Sequence, residues 1–257
     1  MIATASRTTP ENLTDENIGY YRANGFVHIP GIISPEEAAQ FHAAALNYAG
    51  HGDTLSNRPV FQQLVNVWSQ SEAMKALTLH SNVAAVAEKL AGVPLRLWHD
   101  QILIKKPHNE AATEWHQDQP YWPHLNSTHP ISCWIALCDV PVERGCMTFI
   151  PGSQTRTDLR AQNLEDSNSL FSICPELMWE PRVTVPLKAG DCTFHHGRCA
   201  HMATPNLTAD PRVAHVVIFM DAETKFDGRP HTVTVKLGLT EGEIIEGELF
   251  PRVADYA

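Results

Sequence analysis

Residues 113–122 read TEWHQDQPYW, which sets His116 and Asp118 two positions apart and surrounds them with Trp115, Tyr121 and Trp122. An imidazole and a carboxylate at this spacing have three uses: two ligands for one metal ion, a general acid–base pair, or an ordinary turn with a surface His and Asp. On a strand or at its end, residues i and i+2 point to the same face. His116 and Asp118 would then look one way, and Trp115 and Gln117 the other. As ligands, an imidazole and a carboxylate favour a borderline ion such as Fe(II), and a facial set of two His and one carboxylate leaves positions open for substrate and O2. The H-x-D spacing recurs by chance and does not by itself decide among the three uses.

A second group lies in KAGDCTFHHGRCAHMATPNLTADPRVAHVVIFM, residues 188–220, which reads as a strand, a turn, His201, and Arg212 opening a further strand. Flanked by Asp210-Pro211 and VAHVVIF, Arg212 is expected to face the interior, although a surface arginine is the plain alternative. A buried guanidinium without a partner is costly, so an anionic ligand is its natural companion.

Taken in order, WHQD, WIAL, ERGCMTFIPGSQ, GD-x-x-F-H-H-G-x-x-x-H, PN and an Arg in a strand resemble the phytanoyl-CoA dioxygenase (PhyH-like) family of Fe(II)/2-oxoglutarate-dependent oxygenases, over roughly residues 95–222. The resemblance implies that His116, Asp118 and His201 hold Fe(II) and that 2-oxoglutarate chelates the opposite face. Arg212, eleven residues after His201, would pair with the far carboxylate of the cosubstrate; the planar, permanently charged fork of arginine suits that task. O2 would be the oxidant, with succinate and CO2 released and hydrogen removed from an unactivated C–H bond.

The same resemblance places Trp134 beside the cosubstrate and makes Gln62 and Gln101 candidates for its pocket. Tyr121, Trp122 and His124, directly after the metal pair, would wall the substrate pocket, with His196 as a further cavity residue. Each has a bland alternative: a core tryptophan, a solvated glutamine, a loop packed on the barrel, a satisfied strand histidine such as His215. His195 and His196 point to opposite faces of a regular strand, so only one of them can face the metal. Related halogenases lack the carboxylate that Asp118 supplies, so hydroxylation, desaturation or ring closure is favoured over halogenation.

These residues need a scaffold. The first part of the chain reads as helical. LTDENIGYYRANG has Thr14 as N-cap and Gly25 as stop, and FVHIPG follows as a short strand. ISPEEAAQFHAAALNYAG has a Ser34–Glu37 capping box with Pro35 in its first turn, and SNVAAVAEKLAG ends at Gly92. From about Leu95, short runs rich in Val, Ile, Phe, Trp and Thr alternate with turn signals and no helices intervene. The expected fold is mainly β with flanking helices: a double-stranded β-helix (jelly roll, cupin-like) core over about 95–222, helical support over about 1–94 and a C-terminal extension 223–257, all one oxygenase domain. Residues 153–180 read as a long irregular connection of the kind used for lids. HTVTVKLGL and GEIIEGELF in the extension suggest an edge strand or a contact surface.

The bulk numbers narrow the class. A chain of 257 residues, 43% hydrophobic and 19% charged, can bury a full core. A formal charge of −10 and the lack of a Lys/Arg run argue against a nucleic-acid partner. No stretch has signal-peptide or membrane-span length, so a cytoplasmic enzyme, monomeric or homodimeric, acting on a small molecule is expected. The six cysteines have no C-x-x-C pair and are expected to be reduced and mostly buried. Two rival readings stand beside the oxygenase: a zinc hydrolase on the same His/Asp/His set, and a jelly-roll binding module without catalysis.

Overall fold

The computed structural model describes residues 8–51, 56–57 and 60–257. Local chemistry sets the first helices. Thr14 caps α1 (Asp15–Asn24): its hydroxyl accepts the Asn17 N–H, and the Asn17 side chain accepts the Thr14 N–H. Gly25 ends α1 at φ 78°, a left-handed conformation that glycine adopts without steric cost. After β1 (Phe26–Ile29), the Ser34 hydroxyl accepts the Glu37 N–H and Glu37 accepts the Ser34 N–H, which starts α2 (Pro35–His51). Such a box satisfies donors that the first helical turn leaves open. β2 (Ser56–Asn57), β3 (Gln62–Val65), α3 (Glu72–Thr78) and α4 (Ser81–Ala91) follow. The sequence reading missed β3 and α3, which are too short for their periodicity to register.

The remaining elements are β4 (Leu95–Lys105), β5 (Thr113–His116), β6 (Ile131–Ala136), β7 (Met147–Phe149), α5 (Ser169–Ile173), β8 (Val183–Val185), β9 (Cys192–His196), β10 (His201–Ala203) and β11 (Arg212–Asp221). Among the described residues they form two antiparallel sheets, ordered β1-β9-β6-β11-β4-β3-β2 and β5-β10-β7-β8. This is the expected double-stranded β-helix.

The larger sheet is buried on both faces, and alternation along each strand sorts its side chains. Ile102, Ile104, Ile131, Cys133, Ile135, Val213 and Val217 pack outward against Met74 and Leu77 of α3 and Val83, Val86 and Leu90 of α4. Trp134, Ala136, Ala214, Val216 and Ile218 face inward toward Met147 and Phe149 of the smaller sheet. In β4 the pairing with β11 shifts register between Ile218 and Phe219, which face His99 and Leu97 respectively. The extra residue is Trp98. This bulge changes the phase of the strand, so Trp98 and His99 both serve the inner side.

Two segments differ from expectation. Residues 153–180 carry α5 and two 3₁₀ turns, whose Leu170, Phe171 and Leu177 pack on Trp115. The extension after Asp221 contains no strand. It runs as turns with isolated bridges such as Lys225–Ile244 and Arg96–Arg252, and it buries Ile245, Phe250 and Val253. The anticipated edge strand is therefore not formed; the segment packs on its own barrel instead. The six thiols are free, five of them buried. No helix among the described residues is long and apolar enough to cross a membrane.

Candidate metal centre

His116 closes β5 and His201 opens β10, and antiparallel pairing makes them register partners. Their rings lie 4.2 Å apart although they are remote in sequence. Asp118 lies beyond the end of β5, in αR conformation, so a turn rather than strand alternation brings it to the histidines. Buried Gln117 pins that turn: its N–H donates to Gln162 and its side chain to the carbonyls of Ser153, Arg156 and Arg198. The Gln119 N–H donates to the Gly197 carbonyl at 2.8 Å, which ties the turn to the loop that delivers His201.

Nε2 of His116 is 3.5 Å and Nε2 of His201 is 3.8 Å from Oδ1 of Asp118. The three candidate ligand atoms all lie within 4.8 Å of one another. On the far side of each ring, Nδ1 meets a backbone carbonyl: Glu114 for His116 at 2.7 Å and Cys199 for His201 at 2.9 Å. A carbonyl only accepts, so Nδ1 carries the proton and the Nε2 lone pair faces the centre. Burial, reinforced by neighbouring His116, pushes His201 down to about 3 and keeps it neutral. Burial works against the charge of Asp118, but the surrounding His201, His116 and His195 outweigh it and hold the carboxyl well below its usual range. Two imidazoles, each with Nε2 toward the centre, and one carboxylate form the donor set that a ferrous ion accepts.

The centre opens on a cavity of about 400 Å³ between the sheets. Arg212 enters it from the first position of β11, 2% exposed, with its guanidinium 5.2 Å from the Trp134 ring centroid. Burial lowers its pKa to about 10, so it remains a cation at neutral pH. Its Nη1 reaches only the Leu103 carbonyl, at 3.5 Å, and its buried Nε has no partner. Opposite it in the β4–β11 pair stands buried Lys105, pushed down to about 7 by burial and by Arg212. No carboxylate among the described residues forms an ion pair with Arg212. An orphaned buried guanidinium beside a second amine fits an anionic ligand such as the far carboxylate of a keto acid.

Of the residues singled out from sequence, the cavity gathers His116, Asp118, His201, Arg212, Trp134, Gln101, Tyr121 and Trp122. Three others lie elsewhere. Gln62 belongs to the opposite face of β3 from Phe61, Gln63 and Val65, which line the cavity; strand alternation makes Gln63 the inward glutamine. His196 points out of the sandwich and meets the Thr128 carbonyl, while His195 turns in. His124, half-buried with both ring nitrogens shielded, lies behind the wall, 4.6 Å from Trp98 and 5.5 Å from Trp122 by ring centroids.

The sequence reading passed over His99, Leu164, His231 and Thr232, all of which line the cavity. His99 shares a face of β4 with Gln101 and accompanies it through a 2.9 Å contact, so alternation from Gln101 would have found it. His231 and Thr232 arrive on the extension. Arg229 clamps that segment to the carbonyls of Pro120 and Trp122, in the turn that follows Asp118. No local pattern signals such a contact.

Comparison with known proteins agrees with this geometry. A family model described as phytanoyl-CoA dioxygenase (PhyH) matches residues 21–214. The chain is 36% identical to SnoK, a non-haem alpha-ketoglutarate-dependent carbocyclase from nogalamycin biosynthesis, with a TM-score of 0.87 over 96% of this chain and 99% of that one. It is 34% identical to the epimerase SnoN, solved with Fe3+, alpha-ketoglutarate and nogalamycin RO, with a TM-score of 0.82 over 93% and 98% of the two chains. It is also 30% identical over 126 residues to phytanoyl-CoA dioxygenase domain-containing protein 1 of Rattus norvegicus, a match covering 47% of this chain and spanning 43% of that protein's length. The chain belongs to the phytanoyl-CoA dioxygenase family of iron- and 2-oxoglutarate-dependent oxygenases.

Proposed function

We propose that this protein is an Fe(II)- and 2-oxoglutarate-dependent oxygenase that oxidises an unactivated C–H bond of an uncharged small molecule in secondary-metabolite tailoring. His116, Asp118 and His201 hold the iron, and Arg212, braced on Trp134, holds the far carboxylate of 2-oxoglutarate beside Gln101. The observation that carries this reading is one cavity holding both a two-His-one-carboxylate cluster and a buried, unpaired guanidinium. When bound, the iron supplies O2 activation coupled to decarboxylation of the keto acid, with succinate and CO2 released.

The side chains divide the remaining tasks. The Nδ1–carbonyl contacts fix both imidazole planes, so the ligand lone pairs need no reorganisation. The carboxylate of Asp118 occupies the place that a halide would need, which favours hydroxylation, desaturation or ring closure. Tyr121 and Trp122, roofed by His231 and Thr232, exclude water and shape the substrate space.

Substrate charge follows from what lines the cavity. Among the described residues, Asp118 is the one carboxylate and Arg212 the one Lys or Arg side chain that line the cavity, and both are committed to the iron and the keto acid. Burial holds His99 well below its ordinary pKa and His231 at about 4, so both are neutral. Among these described residues an amino acid or an acyl-CoA would find no counter-charge; a hydroxylated aromatic finds ring faces and hydrogen-bonding groups. SnoN, an epimerase from nogalamycin biosynthesis, was solved holding nogalamycin RO. The proposal extends to one oxygenase unit, cytoplasmic, acting as a monomer or homodimer. Its test is anaerobic reconstitution with Fe(II) and 2-oxoglutarate, then admission of O2. Succinate formation, even without substrate turnover, supports the oxygenase. No succinate, with hydrolytic activity under zinc, supports a hydrolase that has no use for Arg212.

A further inference from the structure

A third imidazole faces the metal cluster, and no ligand role accounts for it. His195 lies on β9, where Cys192 and Phe194 pack into the outer core and Thr193 and His195 turn inward. It is 1% exposed, and its ring centroid lies 4.6 Å from that of His201 and 5.6 Å from that of Phe149. Its Nε2 stands 3.5 Å from Oδ2 of Asp118, at the outer edge of hydrogen-bond range. The two carboxylate oxygens therefore face different partners. Oδ1 faces Nε2 of both His116 and His201, and Oδ2 faces His195. His195 falls outside the group whose ligand atoms converge within 4.8 Å. Its Nδ1 is buried without a partner, so nothing draws the ring proton away from Nε2.

We propose that His195 is a positioning residue: its Nε2–H donates to Oδ2 of Asp118, holds the carboxylate to one-oxygen ligation through Oδ1, and so keeps a coordination position free for the keto acid. This rests on the metal-centre reading given above. A carboxylate with both oxygens unengaged can swing to chelate an ion, which would use up a position the cosubstrate needs. A donor held by the rigid β9 strand prevents the swing without itself binding the metal. Outer partners of this kind orient a ligand, and their loss typically costs 10- to 100-fold in metal affinity.

The test uses the full-length protein and three variants, His195→Phe, His195→Gln and Asp118→Ala, with Co(II) affinity measured by competition against a chelator and 2-oxoglutarate affinity measured on the Co(II)-loaded protein. His195→Phe is expected to weaken Co(II) binding roughly 10- to 100-fold and to weaken 2-oxoglutarate binding as well. His195→Gln, which keeps a donor, is expected to restore most of both, and thermal unfolding of the apo forms separates these effects from misfolding. Should His195→Phe fail to fold, imidazole NMR of the wild-type Zn(II) form decides. His195 is then expected as the Nε2–H tautomer, and His116 and His201 as Nδ1–H tautomers. Wild-type metal affinity in a folded His195→Phe, or an Nδ1–H tautomer or metal-bound Nε2 at His195, overturns the inference. If wild type binds no metal, or Asp118→Ala binds it as tightly as wild type, the metal-centre reading falls and this inference with it; a loss confined to Asp118→Ala overturns this inference alone.

Discussion

At the scale of single residues, the site works by leaving charges incomplete. Asp118 is a carboxylate enclosed by three imidazoles, and Arg212 is a buried cation whose Nε has no partner. Each is costly alone, and the proposed function gives each a partner: a ferrous ion for the first, a carboxylate for the second. Truncating one member of a buried charge pair costs about 2–5 kcal/mol. Arg212→Gln is therefore expected to raise the apparent Kd of 2-oxoglutarate roughly 30-fold or more while Fe(II) binding persists, as read by anaerobic titration. Unchanged affinity would remove Arg212 from the cosubstrate site. Asp118→Ala is expected to reduce succinate formation to the level of free iron and to lose stoichiometric Fe(II) in equilibrium dialysis. Retained turnover would contradict its assignment as a ligand.

At the scale of elements, legibility followed the length of the interaction. Caps are local, so Thr14, Gly25, Ser34 and Gly92 could be read directly, and the structure places all four at helix ends. Ser34→Ala removes one such contact far from the cavity. It is expected to cost about 1 kcal/mol, a few degrees in Tm, with 2-oxoglutarate affinity unchanged. A change in cosubstrate affinity would mean that α2 does more than support the sheet. Which face of a strand looks inward was harder to read, because the larger sheet is apolar on both sides. Runs such as CTFHH and FQQLV show no hydrophobic alternation to choose a face. His196 and Gln62 are therefore expected where the structure places their chain neighbours His195 and Gln63. That His116, Asp118 and His201 come together was legible through ordered motifs. The roof of the cavity was not, because His231 depends on Arg229 gripping carbonyls more than a hundred residues away.

At the scale of the whole molecule, helices cover one side of the larger sheet and the smaller sheet covers the other, so polar groups in the outer layer must be paired internally. Asp100 on β4 does this with one oxygen, while its Oδ1 is buried without a partner. Its Oδ2 accepts the Trp68 N–H at 3.1 Å and the Thr78 hydroxyl at 3.0 Å, and that hydroxyl lies 2.9 Å from Nε2 of His215. Burial raises the Asp100 pKa from 3.8 to about 7. Between about pH 4 and pH 7 the unfolded chain thus releases a proton that the folded chain keeps, and stability falls as pH rises, by ~1.4 kcal/mol per pH unit at most from this group. Above pH 7 both forms are ionised and its contribution is level. Chemical denaturation of wild type and Asp100→Asn across this range is expected to show the wild-type advantage shrinking with pH; a constant difference would contradict the buried, protonated Asp100.

The fold, the ligand cluster and the basic end of the cavity converge on one claim, that a single ferrous ion sits between β5 and β10 with a keto acid spanning from it to β11. Anomalous diffraction at the iron edge, from anaerobic crystals grown with Fe(II) and 2-oxoglutarate, tests it most directly. The expected result is one iron peak bonded to His116 Nε2, Asp118 Oδ1 and His201 Nε2, with the far carboxylate of 2-oxoglutarate paired to Arg212. Iron bound without His201, or a keto acid whose carboxylate leaves Arg212 unpaired, would contradict it.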